Sequence, residues 1–220
     1  MSEMFKTDGV HAEHSSTHGP AKRRMPAPLW RPCHALLPHL DQTMSRLVRP
    51  APIPPDSEIH RRLPGADFFD SYEGTLPPEV AVQSALALAL RTFTQSPGWV
   101  DFLMGVRNRV VALVGLKDLG APSQMAPVRP PESYQVGDRV GIFTLRYLSD
   151  DEVILGDSDK HLDVLVSVCK RPRGDTTLLL VSTVVHVHNR LGRLYMLFVG
   201  PAHKLIAPAT LRSGLRRRSA

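Results

Sequence analysis

From residue 78 onward apolar positions recur every three or four residues, the period of a helix with one buried face. In "PPEVAVQSALALALRTF" this puts Val82, Ala85, Leu86, Ala89 and Phe93 on one side, with Pro78 in the first turn, where a missing N–H costs nothing. "SPGWVDFLMGVRNRVVALVGL" repeats the pattern with Trp99, Leu103, Val106, Val110 and Leu113, Ser96 as N-cap, Pro97 first in the helix and Gly115 as stop. Ahead of them, "RRLPGADFFDSYEGTL" predicts a short strand from about Ala66 to Thr75, ended by Gly74 and Pro77-Pro78.

Past the proline-rich crossing "GAPSQMAPVRPPESYQVGD" the pattern changes. "RVGIFTLRYLSDDEVILGDSDKHLDVLVSVCKRPRGDTTLLLVSTVVHVHN" contains four β-rich runs separated by "SDDE", "GDSDK" and "RPRGD", each carrying turn residues. Loops so short hold no crossover helix, so the runs form an antiparallel meander. Asn189 to Gly192 fits a three-residue hairpin loop, and "RLYMLFVG", bounded by glycine at both ends, fits a fifth strand. That hairpin sets His188 opposite Leu194, His186 opposite Met196 and Tyr195 opposite Val187. A last helix then starts at Pro201, with Leu205, Ala209 and Leu215 facing inward and Pro208 bending it. The order predicts an α+β fold in which a curved antiparallel sheet wraps the C-terminal helix and two helices follow the first strand. Such a sheet, closed on one side by helices, leaves room for an apolar cavity.

Composition changes this picture at the ends. Residues 1 to 58 hold nine prolines and five histidines without an apolar period, and read as a disordered extension, with Met44 as an alternative initiator inside it. The domain is expected over residues 59 to 212. The formal charge of +6 is not spread over it: residues 59 to 211 carry sixteen Lys/Arg against fifteen Asp/Glu, whereas 212 to 220 carry four Arg and no acid. A basic tail at 213 to 220 is thus favoured as a solubilising helix end, and nucleic acid is disfavoured as a partner. Cys33 and Cys169 lie 136 positions apart with no ligand cluster, which excludes a zinc ribbon or disulfide scaffold and favours a reducing, cytoplasmic setting. No apolar run approaches the length of a membrane span.

"LPGADFFDSYEGTLP", "WVDFLMGVRNRVVALVGL", "VILGDSDKHLDVLVSV" and "VHNRLGRLYMLFVGPAHKLI" resemble the bacterial family named domain of unknown function 2867, over roughly residues 59 to 212. The resemblance implies kinship with the helix-grip, polyketide-cyclase-like and START-like superfamily, and a short-chain reductase-like protein as a partner. It also implies a bulky aromatic where this chain has Ala202.

Candidate chemistry centres on histidines. His186 and His188 share one strand face, as do His161 and Asp163 on an earlier strand, and the "RPRGD" hairpin brings those strands together. In matching register they form a two-nitrogen, one-carboxylate cluster suited to a metal or to acid–base work on a carbonyl ligand. In any other register they lie on a solvated face, and no metal or cofactor is assigned. Arg107, within the second helix, suits a ligand carboxylate at the pocket mouth or a local ion pair. Tyr195 reaches a cavity with its hydroxyl or packs in the core, and His203 reads as a surface or interhelical donor. "GDSDKHLD" lacks the glycine and terminal glutamate of a calcium loop, and neither a phosphate-binding glycine motif nor a nucleophile elbow is present. Two functions follow: binding of a small hydrophobic ligand between sheet and C-terminal helix, or a cyclase- or dehydratase-like enzyme using the His/Asp/Arg residues. A third is an accessory role beside a reductase or an anionic surface.

Overall fold

The computed structural model describes residues 48–113 and 129–216. Its strands are β1 (Arg49–Pro50), β2 (Phe68–Thr75), β3 (Arg139–Val140), β4 (Phe143–Leu148), β5 (Glu152–Ser158), β6 (Leu162–Arg173) and β7 (Thr176–Val187). Its helices are α1 (Pro78–Ala81), α2 (Ala85–Thr94), α3 (Gly98–Leu113) and α4 (Arg190–Gly214). The strands form one antiparallel sheet in the order β1-β2-β7-β6-β5-β4-β3, so the architecture is α+β, with a curved open sheet and a C-terminal helix. The β3 to β7 meander follows the expected runs and turns; the last turn is carried by Gly174, whose φ of 56° suits a residue without Cβ. Both edge strands are two residues long, which leaves little unpaired backbone on offer.

Residues 193 to 200 are helix, not the expected fifth strand. β7 has no free edge for such a strand, because β2 pairs along it from Phe68↔Val185 to Thr75↔Leu178. α4 therefore starts at Arg190 and runs through Pro201, which is interior rather than first. Asn189 is its N-cap: the side-chain oxygen accepts from the Gly192 N–H at 3.0 Å. Gly192 is needed for close approach rather than for a left-handed turn, since a Cβ there would stand 2.4 Å from the His161 carbonyl oxygen. At about 1.5 Å per residue the 25 residues of α4 span roughly 37 Å.

Three smaller expectations also change. The helix predicted from Pro78 breaks after Ala81, and Ser84 caps a new one by accepting from the Ala87 N–H, which leaves Val82 87% exposed. On α3 the expected inward stripe is partly turned to solvent: Trp99, Leu103 and Val106 are exposed, whereas Val100 is buried. Gly115 lies outside the described residues. Val48 and β1, ahead of the boundary expected at residue 58, are already part of the described fold, and Leu215 is buried in the core beyond the boundary expected at 212.

Alternation along the strands gives the sheet two distinct sides. Leu145, Val153, Leu155, Val166, Val168, Leu179 and Val181 face the helices and form the main core with Leu86, Ala89, Phe93 and Leu211. On the opposite side Ile154 and Val184 are covered by Ile53 and Ile59 from the segment before β2. That segment is held by a buried carboxylate. Glu152 accepts from the Glu58 and Ile59 N–H groups at 2.7 and 3.1 Å and from the Ser167 hydroxyl at 2.8 Å. Glu152→Ala strips three donors of their acceptor and is expected to lower the unfolding free energy by about 3 kcal/mol in urea denaturation. A loss below ~1 kcal/mol would mean that water replaces the carboxylate and the segment is not anchored there.

Candidate functional site

Between the sheet and α4 lies a hollow of about 190 Å³. The sheet contributes Leu162, Val164 and Val166 from β6 with Val181, Thr183 and Val185 from β7. α4 contributes Tyr195, Met196, Val199, His203, Ile206 and Thr210, spaced three and four apart so that they occupy one helical face. Phe68, Phe93 and Phe143 close the sides, and Met104 of α3 reaches one end.

Its polar centre is His203. Nδ1 lies 2.9 Å from Oδ2 of Asp70, and Nε2 lies 3.4 Å from the Thr183 hydroxyl, a long contact. Asp70 and Thr183 are direct cross-strand partners on β2 and β7, so the imidazole stands over one rung of the sheet. Phe68 meets the ring edge-on, with centroids 5.8 Å apart and planes at 84°. The second oxygen of Asp70, Oδ1, is buried without a hydrogen-bond partner among the described residues. Sequence reasoning assigned His203 no place here. The only available signal was its spacing from Tyr195, Met196 and Val199, legible once those residues are read as helix.

The expected site residues divide between the two sides of the sheet. Asp163 and His186 are register partners on β6 and β7, facing away from α4. His186 Nε2 lies 2.9 Å from the Arg62 carbonyl oxygen and donates to it, and Asp163 accepts from the Ser158 hydroxyl and stands 3.1 Å from His188 Nε2. With Arg61, Arg146 and Tyr147 they line an outer hollow of about 520 Å³. A bulge between Leu145 and Tyr147 turns both Arg146 and Tyr147 to that side. His161 is separate from them, buried at the base of α4. Its Nδ1 lies 3.0 Å from the Asn189 amide nitrogen and 3.3 Å from the Asn189 side-chain oxygen, and its Nε2 is buried with no partner among the described residues. Of the expected residues whose side chains are described, Tyr195 alone lines the inner hollow; the Arg107 side chain lies outside what is described. The pairings expected from a hairpin at Asn189 are corrected accordingly: His186 opposes Asp163, not Met196; His188 stands beside Asp163, not Leu194; and Tyr195 is on a helix. Among the described residues no group of three His, Cys, Asp or Glu side chains is placed to hold a metal ion. No helix among them is long and apolar enough to cross a membrane.

Fold and cavity together define an α+β protein whose C-terminal helix closes an apolar hollow against an antiparallel sheet. Residues 62–210 match the family described as Protein of unknown function (DUF2867), and the chain belongs to that family. Neither a curated protein nor a solved structure matches it.

Cys169, on the outer side of β6, is buried, and that burial, with the nearby Glu152 carboxylate, pushes its thiol up to about 11. Since the thiolate is the reactive form, a Cys33→Ser variant at pH 8 is expected to react with iodoacetamide roughly a hundredfold more slowly when folded than in urea. Comparable rates would place Cys169 at an accessible, activated position.

Proposed function

We propose that the protein binds a small hydrophobic molecule in the hollow between the sheet and α4. The observation that carries this reading is the lining itself: aliphatic and aromatic side chains from the sheet and the helices around one polar cluster, the composition of ligand pockets in general. A hollow of about 190 Å³ is of useful size, given that a dry apolar cavity of about 150 Å³ takes up benzene. The resemblance to helix-grip proteins implies a ligand in the same place. Binding is preferred to the cyclase- or dehydratase-like reading because Asp163 and His186 face away from the hollow, so a ligand inside it does not meet them.

Gently purified full-length protein is expected to carry a bound small molecule in native mass spectrometry, and after its removal to bind propylbenzene saturably by isothermal titration. Met196→Trp fills the hollow and is expected to weaken propylbenzene binding by about tenfold or more without loss of the folding transition. The reading falls if no molecule co-purifies and propylbenzene does not bind, or if Met196→Trp leaves its affinity unchanged.

A further inference from the structure

We propose that the hollow selects neutral apolar molecules that carry a hydroxyl of phenol or enol type, and that His203 Nε2 accepts the hydrogen bond from that hydroxyl. The inference rests on the hollow being the binding site and names the class of ligand it takes.

The imidazole is held on three sides. The Asp70 carboxylate, 2.9 Å from Nδ1, fixes the proton of the neutral ring on that nitrogen, so Nε2 presents its lone pair. Phe68 stands against the ring edge-on and limits its rotation. What faces Nε2 is the Thr183 hydroxyl at 3.4 Å, near the outer limit of a hydrogen bond. A half-buried acceptor so loosely engaged gains from a better donor, and a neutral ligand hydroxyl in the hollow supplies one while its hydrocarbon body contacts Val164, Val185 and Met196.

Charge selects against the other common polar ends. Among the described residues the lining contains Asp157 and Asp159 but no lysine or arginine, and Asp70 lies directly behind His203. Asp157 is paired with Arg139 at 3.9 Å and Asp159 accepts from the His161 and Leu162 N–H groups, so a carboxylate or phosphate brought into the hollow leaves water without a lining cation to meet and is opposed by the Asp70 carboxylate behind His203. A pure hydrocarbon enters without penalty but leaves Nε2 with its long contact to Thr183. The neutral hydroxyl is the class that satisfies both conditions.

The test compares three probes of similar size, 4-propylphenol, propylbenzene and 3-phenylpropanoate, titrated into the full-length chain at pH 8. The phenol is expected to bind about tenfold more tightly than propylbenzene, with no saturable binding of the carboxylate. His203→Leu is expected to bring the two neutral probes to equal affinity, whereas Thr183→Val, which removes only the competing hydroxyl, keeps the preference for the phenol. With histidine nitrogens labelled, the Nε2 resonance of His203 is expected to shift on adding 4-propylphenol and not on adding propylbenzene, a readout that stands even where His203→Leu does not fold. Equal binding of the two neutral probes to the unaltered protein overturns the proposal and leaves hydrophobic binding standing; failure of both to bind overturns hydrophobic binding as well. A preference for the phenol that survives His203→Leu, a static Nε2 resonance, or tighter binding of 3-phenylpropanoate each overturns it too.

Discussion

The corner at Asn189 is the constraint on which the rest of the fold depends. Its side-chain oxygen caps α4 through the Gly192 N–H, and its amide nitrogen donates to the Lys160 carbonyl at 2.9 Å and lies against His161 Nδ1. The His188 N–H adds a bond to the His161 carbonyl at 2.9 Å. Chain leaving β7 is thus tied to the turn before β6 and redirected as helix across the sheet. If it continued as a strand beside β7 it would compete with β2 for the same backbone edge. Because the corner removes it, β2 is free to complete the sheet, and Asp70 arrives opposite Thr183 under the helix.

Much of the sheet was legible because its determinants are local. Each of the runs that became β4 to β7 is bounded by its own aspartates or glycines, and α2 has Ser84 and a helical stripe within ten residues. The C-terminal helix was not legible in the same way. Gly192 and the pair Gly200-Pro201 carry strong turn statistics, yet Gly192 exists for contact with His161 and Gly200 faces the Phe68 ring. Pro201 and Pro208 sit inside a helix that tolerates losing two backbone hydrogen bonds because its inner face is packed from Gly192 to Gly214. What decided against the strand was the occupancy of β7 by residues more than a hundred positions away, and no short window contains that information.

The candidate site was harder to read for a related reason. His186, His188 and Asp163 stand out because they are close in sequence or alternate along a strand, and the structure does bring them together, on the outer side. The inner cluster takes one residue each from β2, β7 and α4, and its members, Asp70, Thr183 and His203, have unremarkable neighbours in the chain. Alternation in β6 and β7 decides the matter: odd and even positions enter different environments, so Asp163 and Val164, adjacent in sequence, serve opposite faces of the molecule.

One property of α4 follows from its two sides. Leu194, Leu197, Phe198 and Leu205 are exposed on the side away from the sheet, whereas Met196, Val199 and Ile206 line the hollow, so greasiness alone does not tell this cylinder which way to roll about its axis. Its azimuth is instead set at its two ends by missing side chains. Gly192 lies against the His161 carbonyl, and Gly214 lies against Thr92, whose Cα would stand 2.8 Å from any added Cβ. Helix orientation in this protein is therefore keyed like a shaft with two flats: the exposed leucines between them touch no wall, and the rotational setting that aims His203 at Asp70 is carried by the two positions that have no side chain at all.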